Sequence, residues 1–158
     1  MDALSFEATR QAIESPFANC GVQVERRAVE KVYEQSKGYP YFIQEWGYQV
    51  WNRIERKRVG PDDVEKARAK VERRLDENFF HARLERLTAG EKDFLYGMAL
   101  CRGDIHMADV AKMLDSNVAT LSKRRASLLA KGMIYSPRYG ELAFTVPMFG
   151  NFMRRSRK

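Results

Sequence analysis

The stretch VATLSKRRASLLAKGMIYSPRYGELAFTV, residues 118–146, decides the fold. Its first part repeats with a helical period. Val118, Leu121, Leu128 and Leu129 share one face when residues are set about 100° apart. Gly132 ends that helix. Met133 to Ser136 and Leu142 to Val146 then read as two strands, rich in apolar and β-branched residues. Pro137-Arg138-Tyr139-Gly140 supplies the turn between them. Working outward, Asp115-Ser116-Asn117 is a polar turn, and Met107 to Leu114 is a short helix with Val110, Ala111 and Leu114 inward. Gly103-Asp104 breaks the chain before it. Thr88-Ala89-Gly90-Glu91 fits a capping box, with Thr88 as N-cap and Glu91 at N3, opening a helix that carries Phe94, Leu95, Met98 and Ala99. Phe149 to Arg155 reads as a last helical turn. Three helices and a hairpin in this order predict a winged helix-turn-helix over Thr88 to Lys158.

The preceding residues, Met1 to Leu87, read as a helical domain, so the fold class is mainly α with a small β-hairpin wing. A helix from Ser5 to Ile13 is expected to stop at Ser15-Pro16. Glu25 to Lys37 places Ala28, Val29, Val32 and Tyr33 on one face, with Gly38 as a left-handed cap. Tyr39 to Arg58 carries Phe42, Ile43, Trp46, Gly47, Val50 and Ile54 at helical spacing. Gly21-Val22-Gln23-Val24 and Arg58-Val59-Gly60 are short extended pieces. Pro61 suits a first helical position, followed by Asp62, Asp63 and Glu65 at the positive end of the helix dipole. Val64, Ala67, Val71, Leu75 and Phe79 continue that helix to about Leu87. Lys66, Arg68, Lys70, Arg73 and Arg74 lie on its other face, which reads as a solvated surface.

Composition excludes several classes of protein. Nine Phe, seven Tyr and two Trp in 158 residues give apolar surface enough to offset chain entropy, so the chain is not a disordered tail. Two cysteines do not make a disulfide framework; Cys20 and Cys101 are expected to be small buried thiols in a reducing, cytoplasmic compartment. No apolar run reaches membrane-spanning length, and Met1 to Arg10 lacks a signal-peptide pattern, so no membrane partner is expected. The net charge of +7 is uneven. Met1 to Leu87 holds 16 basic and 15 acidic residues, and Thr88 to Lys158 holds 12 basic and six acidic. Arg154, Arg155, Arg157 and Lys158 account for four of the latter charges, so bulk charge alone does not establish a polyanion partner.

The helix from Val118 to Lys131 is the recognition helix of this pattern. Thr120, Lys123, Arg124, Ser127 and Lys131 are expected to point outward, where they would meet phosphates and base edges in a major groove. Arg125 falls on the apolar face and is expected to pair with an acid. Arg138 and Tyr139 at the hairpin tip complete the candidate DNA-binding set. The other reading is a winged helix used for packing within a larger protein. His81 and His106 have no partners at metal spacing, and no catalytic or phosphate-cradling motif occurs, so no metal or catalytic residue is assigned.

Two stretches carry a family resemblance. One is Ser36-Lys37-Gly38-Tyr39-Pro40-Tyr41-Phe42-Ile43-Gln44-Glu45-Trp46-Gly47. The other runs from Leu87-Thr88 through Phe94-Leu95 to Lys131-Gly132-Met133-Ile134-Tyr135-Ser136-Pro137 and Ala143-Phe144-Thr145-Val146-Pro147. Together they resemble the C-terminal part of bacterial AAA-type ATP-binding proteins, which are related to archaeal ATPases and to initiator ATPases of the origin-recognition type. The resemblance implies a helical lid over Met1 to Leu87, then a winged helix, both following a P-loop core upstream. This chain lacks the P-loop, so it is expected to be a non-catalytic C-terminal part. ATP and Mg²⁺ would belong to the full-length parent, and no cofactor to this chain. The resemblance also sets Tyr39, Pro40 and Tyr41 at a helix start that faces the nucleotide, where many such lids carry an arginine that this chain lacks. Tyr39 or Tyr41 would pack on adenine or ribose, or both would be core or interdomain residues. The expected partners are double-stranded DNA and the upstream ATPase core. The alternative is a module that gates the nucleotide through protein contacts, exposing Tyr39, Tyr41, Trp46 and Trp51 when the core is absent.

Overall fold

The computed structural model describes residues 3–157, which form two compact units, one ending at Phe79 and the other beginning at Phe80. The division falls before the helix His81–Leu84, ahead of the boundary expected after Leu87.

The first unit is a helical bundle. α1 (Phe6–Asn19) is capped by Ser5, whose Oγ accepts the Ala8 N–H at 3.1 Å. It runs straight through Pro16 and does not stop at Ser15. Proline costs one helical hydrogen bond, but Phe17 beyond it is 4% exposed, and burying such a ring contributes about 2 kcal/mol. The carbonyl of Phe17 then receives the Cys20 and Val22 N–H groups, which satisfies the helix end. β1 (Gln23–Val24) pairs in parallel with β2 (Arg58–Val59), joining the two extended pieces. α2 (Arg26–Ser36) ends on two left-handed residues, Lys37 at φ 54° and Gly38 at φ 77°.

α3 (Pro40–Trp51) starts on a proline at its first position, where the missing N–H costs nothing. It stops at Trp51, short of the expected Arg58. The intervening Arg53, Glu55, Arg56 and Lys57 are all exposed, so a further turn would bury nothing. α4 (Pro61–Leu75) begins at Gly60, whose N–H is held by Asp63 Oδ2 at 2.8 Å. A π-helical turn, Asp76–Phe80, follows it, so the helix expected to reach Leu87 is interrupted. Phe42 and Trp46 of α3, Val29 of α2 and Ala67, Val71 and Leu75 of α4 are buried in the core of this unit.

The second unit contains α5 (His81–Leu84), α6 (Ala89–Leu100), β3 (Ile105–His106), α7 (Met107–Met113), α8 (Val118–Ala130), β4 (Ile134–Tyr135), β5 (Glu141–Phe144) and α9 (Phe149–Ser156). The capping box forms: Thr88 Oγ1 accepts the Glu91 N–H at 3.2 Å. The sheet order is β3-β5-β4, antiparallel throughout, with Ile105 opposite Leu142 and Ile134 opposite Phe144. That order, with three helices and a two-strand wing, is a winged helix-turn-helix. The strand β3, at the break expected around Gly103-Asp104, completes the sheet. Phe94, Leu95, Met98, Val110, Leu121, Leu128 and Ile134 fill the core. Gly97 admits α7 closely, since a Cβ there would stand 2.9 Å from Leu114 Cγ. α9 is a full helix with Phe149, Phe152 and Met153 buried, and Phe80 stacks against Phe152 at 5.1 Å between centroids.

Candidate nucleic-acid interface

α8 is positioned from both ends. Asn117 caps its start, its Oδ1 accepting the Thr120 N–H at 2.8 Å and the Thr120 hydroxyl at 2.9 Å. Leu121 and Leu128 anchor its inner face. Its outer face shows Ala119, Ser122, Lys123, Ala126 and Ala130, all exposed. Small side chains around a single lysine let the helix backbone approach a partner surface closely.

The expected outward residues divide into two groups. Lys123 and Thr120 are exposed, although the Thr120 hydroxyl is already donated to Asn117. Arg138 and Tyr139 are exposed at the wing tip, Tyr139 completely. Arg124 and Ser127 are half-buried. Arg124 lies across the start of α6, where a Cβ on Gly90 would sit 2.6 Å from its Nε. A larger residue at position 90 would have to displace the Arg124 guanidinium.

Lys131, placed with the DNA-facing set, is engaged elsewhere. Its Nζ bonds both carboxylate oxygens of Glu91 at 2.9 Å and donates to the Arg86 carbonyl at 3.4 Å. Glu91 is 4% exposed. Burial alone would raise its carboxyl, but hydrogen bonds from Lys131 and Thr88 outweigh that and hold it below the ordinary value of 4.5. A buried carboxylate requires a cation, and Lys131 is the cation within reach. Arg125 is half-buried as expected, but it makes no ion pair among the described residues, so its expected acid partner is not found.

The wing is held by one distant contact and one local one. His106 Nδ1 lies 3.1 Å from the Gly140 carbonyl, and the Ser136 hydroxyl donates to the Arg138 carbonyl at 2.7 Å. Electrostatics follow from sequence and pairing together. Residues 116–140 contain no acid and five cations, Lys123, Arg124, Arg125, Lys131 and Arg138. With Lys131 neutralised by Glu91, four remain on the recognition helix and wing. Two of the C-terminal cations, Arg154 and Arg157, are held back against α6. Arg157 pairs with Asp93 at 2.7 Å and lies 5.0 Å over the Tyr96 ring, and Arg154 donates to the Ala99 carbonyl. Lys158 lies outside the described residues.

In the first unit, Tyr39 and Tyr41 join a ring cluster. Tyr39 is 4.8 Å from Phe42, and Tyr41 is 4.9 Å from Phe79. Tyr39 is half-buried, while Tyr41 is exposed, and Pro40 sets the helix start between them. Trp46, expected to be uncovered, is fully buried, because it lies on the inner face of α3 with Phe42 and Val50. Cys20 is exposed rather than buried and stands at the C-cap, just past the last residue of α1; Cys101 is half-buried. No group of three or more His, Cys, Asp or Glu among the described residues could hold a metal ion. No helix among them is long and apolar enough to cross a membrane.

The fold and site therefore define a helical unit followed by a winged helix-turn-helix with a basic recognition helix and wing. The family model for a domain of unknown function, DUF8462, matches residues 77–153, just under half of the chain. No curated protein matches it. Solved structures that resemble this chain include those of Thermotoga maritima RuvB. One mutant of that protein gives a TM-score of 0.46 at 18% identity, covering 90% of this chain and 47% of its own. The structure described as the RuvB Holliday junction branch migration motor gives 0.43 at 19% identity, with the same coverage. The chain spans about half the length of these structures.

Proposed function

We propose that this chain is the non-catalytic C-terminal part of an AAA-type ATPase, lid followed by winged helix, and that the winged helix binds double-stranded DNA. The observation that carries the DNA reading is the acid-free stretch 116–140, which covers α8 and the wing tip. α8 would enter the major groove on its small-residue face, with Lys123 on phosphate and Thr120 at the groove edge. Arg138 and Tyr139 would meet the adjoining backbone. Arg124, lying on Gly90, would hold α8 against α6 and contribute field more than direct contact. ATP and Mg²⁺ would be bound by an upstream P-loop core, with the exposed Tyr41 ring available to the base or ribose. Nucleotide-driven movement of the lid would then reposition the winged helix.

Fluorescence anisotropy with a labelled duplex at low salt tests this reading. The chain is expected to bind, and Lys123→Ala combined with Arg138→Ala is expected to weaken binding by about tenfold or more without lowering Tm. Absent binding, or binding unchanged by the double substitution, contradicts it.

A further inference from the structure

α4 sorts its charges by face. Glu65 receives Lys31 of α2 at 3.0 Å and Arg68 at 3.6 Å, and Glu72 receives Arg68 at 3.4 Å. Arg74, on the opposite flank, pairs with Glu45 of α3 at 3.5 Å. Val64, Ala67, Val71 and Leu75 are buried beneath. Lys66, Lys70 and Arg73 remain, at i, i+4 and i+7, and so form one stripe on the outer side. None of the three makes an ion pair or a side-chain hydrogen bond among the described residues. Asp62 and Glu77 stand one turn beyond its two ends, and neither pairs with it.

The stripe continues into the loop before β2. Residues 53–58 carry four cations and one acid, Glu55. Arg53 and Arg56 line a cleft of about 670 Å³ with Lys66, Glu55 and Asp63. Asp63 is committed to the Gly60 N–H at 2.8 Å, and Arg56 reaches it only at 3.8 Å. The character of the surface selects its partner. A lipid surface needs apolar side chains beside the charges, but Val64, Val71 and Leu75 are all at or below 1% exposed. The centre of a protein interface is rich in rings and poor in lysine, and this stripe has two lysines and no ring. A nucleic-acid strand fits. From Lys66 to Arg73 a helix rises about 10 Å, the axial length of about three phosphates of one strand. Phosphate contacts need no base-reading groups.

We propose that the helical unit carries its own sequence-independent site for duplex DNA, in addition to the winged helix and not dependent on it. Lys66, Lys70 and Arg73 meet phosphates of one strand, and Arg53 and Arg56 meet the adjoining backbone. Anisotropy of a labelled duplex across a salt series, on the full chain, tests it. Lys70→Ala and Arg68→Ala remove the same charge from the same helix. Lys70→Ala should lower the slope of log affinity against log salt by about one. Arg68→Ala should leave it nearly unchanged, because Glu65 and Glu72 already hold that cation. Lys66→Ala, Lys70→Ala and Arg73→Ala together should lower the slope by about three and weaken low-salt binding by about tenfold or more. The Tm should stay unchanged or rise, since alanine is the better helix former. In a Lys123→Ala, Arg138→Ala background the triple change should weaken the binding that remains, and its effect should persist even if that pair has none. Equal slopes for Lys70→Ala and Arg68→Ala, or a triple variant that binds like wild type or melts lower, overturn the proposal. Binding to phosphatidylserine vesicles without binding to duplex also overturns it.

Discussion

Lys131→Met is expected to destabilise the winged-helix unit by about 3 kcal/mol, because it strands a buried carboxylate. Glu91 receives Lys131 on both oxygens, and the Thr88 hydroxyl on one at 3.1 Å. With Lys131 gone, the threonine alone cannot offset the burial of the charge. The Lys131 side chain is 38% exposed, so water reaches part of the gap and keeps the cost below that of a fully buried pair. For a unit of this size, the loss corresponds to a Tm lower by roughly 15 °C.

The pH dependence gives a second signature. The folded-state pKa of Glu91 lies below the ordinary 4.5, so its stabilisation is present above that value and is lost as pH falls through the folded value. In Lys131→Met, burial dominates and raises the carboxyl. That variant should instead gain stability as pH falls from neutrality toward the ordinary carboxylate range. Adding Glu91→Gln should restore part of the lost Tm. Thermal melts of the three proteins across pH check this. A single variant that melts within a few degrees of wild type, or that shows the wild-type pH trend, contradicts it.

Gly38→Ala is expected to cost the helical unit about 3 kcal/mol, from left-handed strain and a lost hydrogen bond. Gly38 sits at φ 77°, and a Cβ there would stand 2.3 Å from the Leu4 carbonyl oxygen. That oxygen belongs to backbone and cannot swing aside. The Leu4 N–H also donates to the Gly38 carbonyl at 2.7 Å, so relieving the clash breaks this bond. Gly21 provides the control. It has nearly the same φ, 76°, but open space where a Cβ would go. Gly21→Ala should therefore cost only the conformational part, about 1 kcal/mol. Equal losses in the two variants would mean that the Leu4 contact contributes nothing. Hydrogen exchange at the Leu4 amide should accelerate only in Gly38→Ala.

The features legible in the sequence are those set by near neighbours. The Thr88–Glu91 box, Pro40 and Pro61 at helix starts, and the period of α8 all rest on spacings of a few residues. Features set by distant partners were not legible. Pro16 predicts a helix end, but Phe17 finds the core and carries α1 past it. β1 and β2 are two residues each, too short to show a strand pattern, and they meet only because the chain folds back. A helical wheel turns Lys131 outward, because nothing local reveals Glu91, 40 residues earlier, beside it. The wing clamp between His106 and Gly140 spans 34 residues and is equally silent.

The account centres on the acid-free recognition helix and wing as a phosphate-binding surface. Its most direct test is the salt dependence of duplex affinity for the wild-type chain and for Lys123→Ala. Counterion release predicts that log affinity falls linearly with log salt, and that Lys123→Ala lowers the slope by about one. No binding at low salt, a flat slope, or an identical slope in the variant would contradict it.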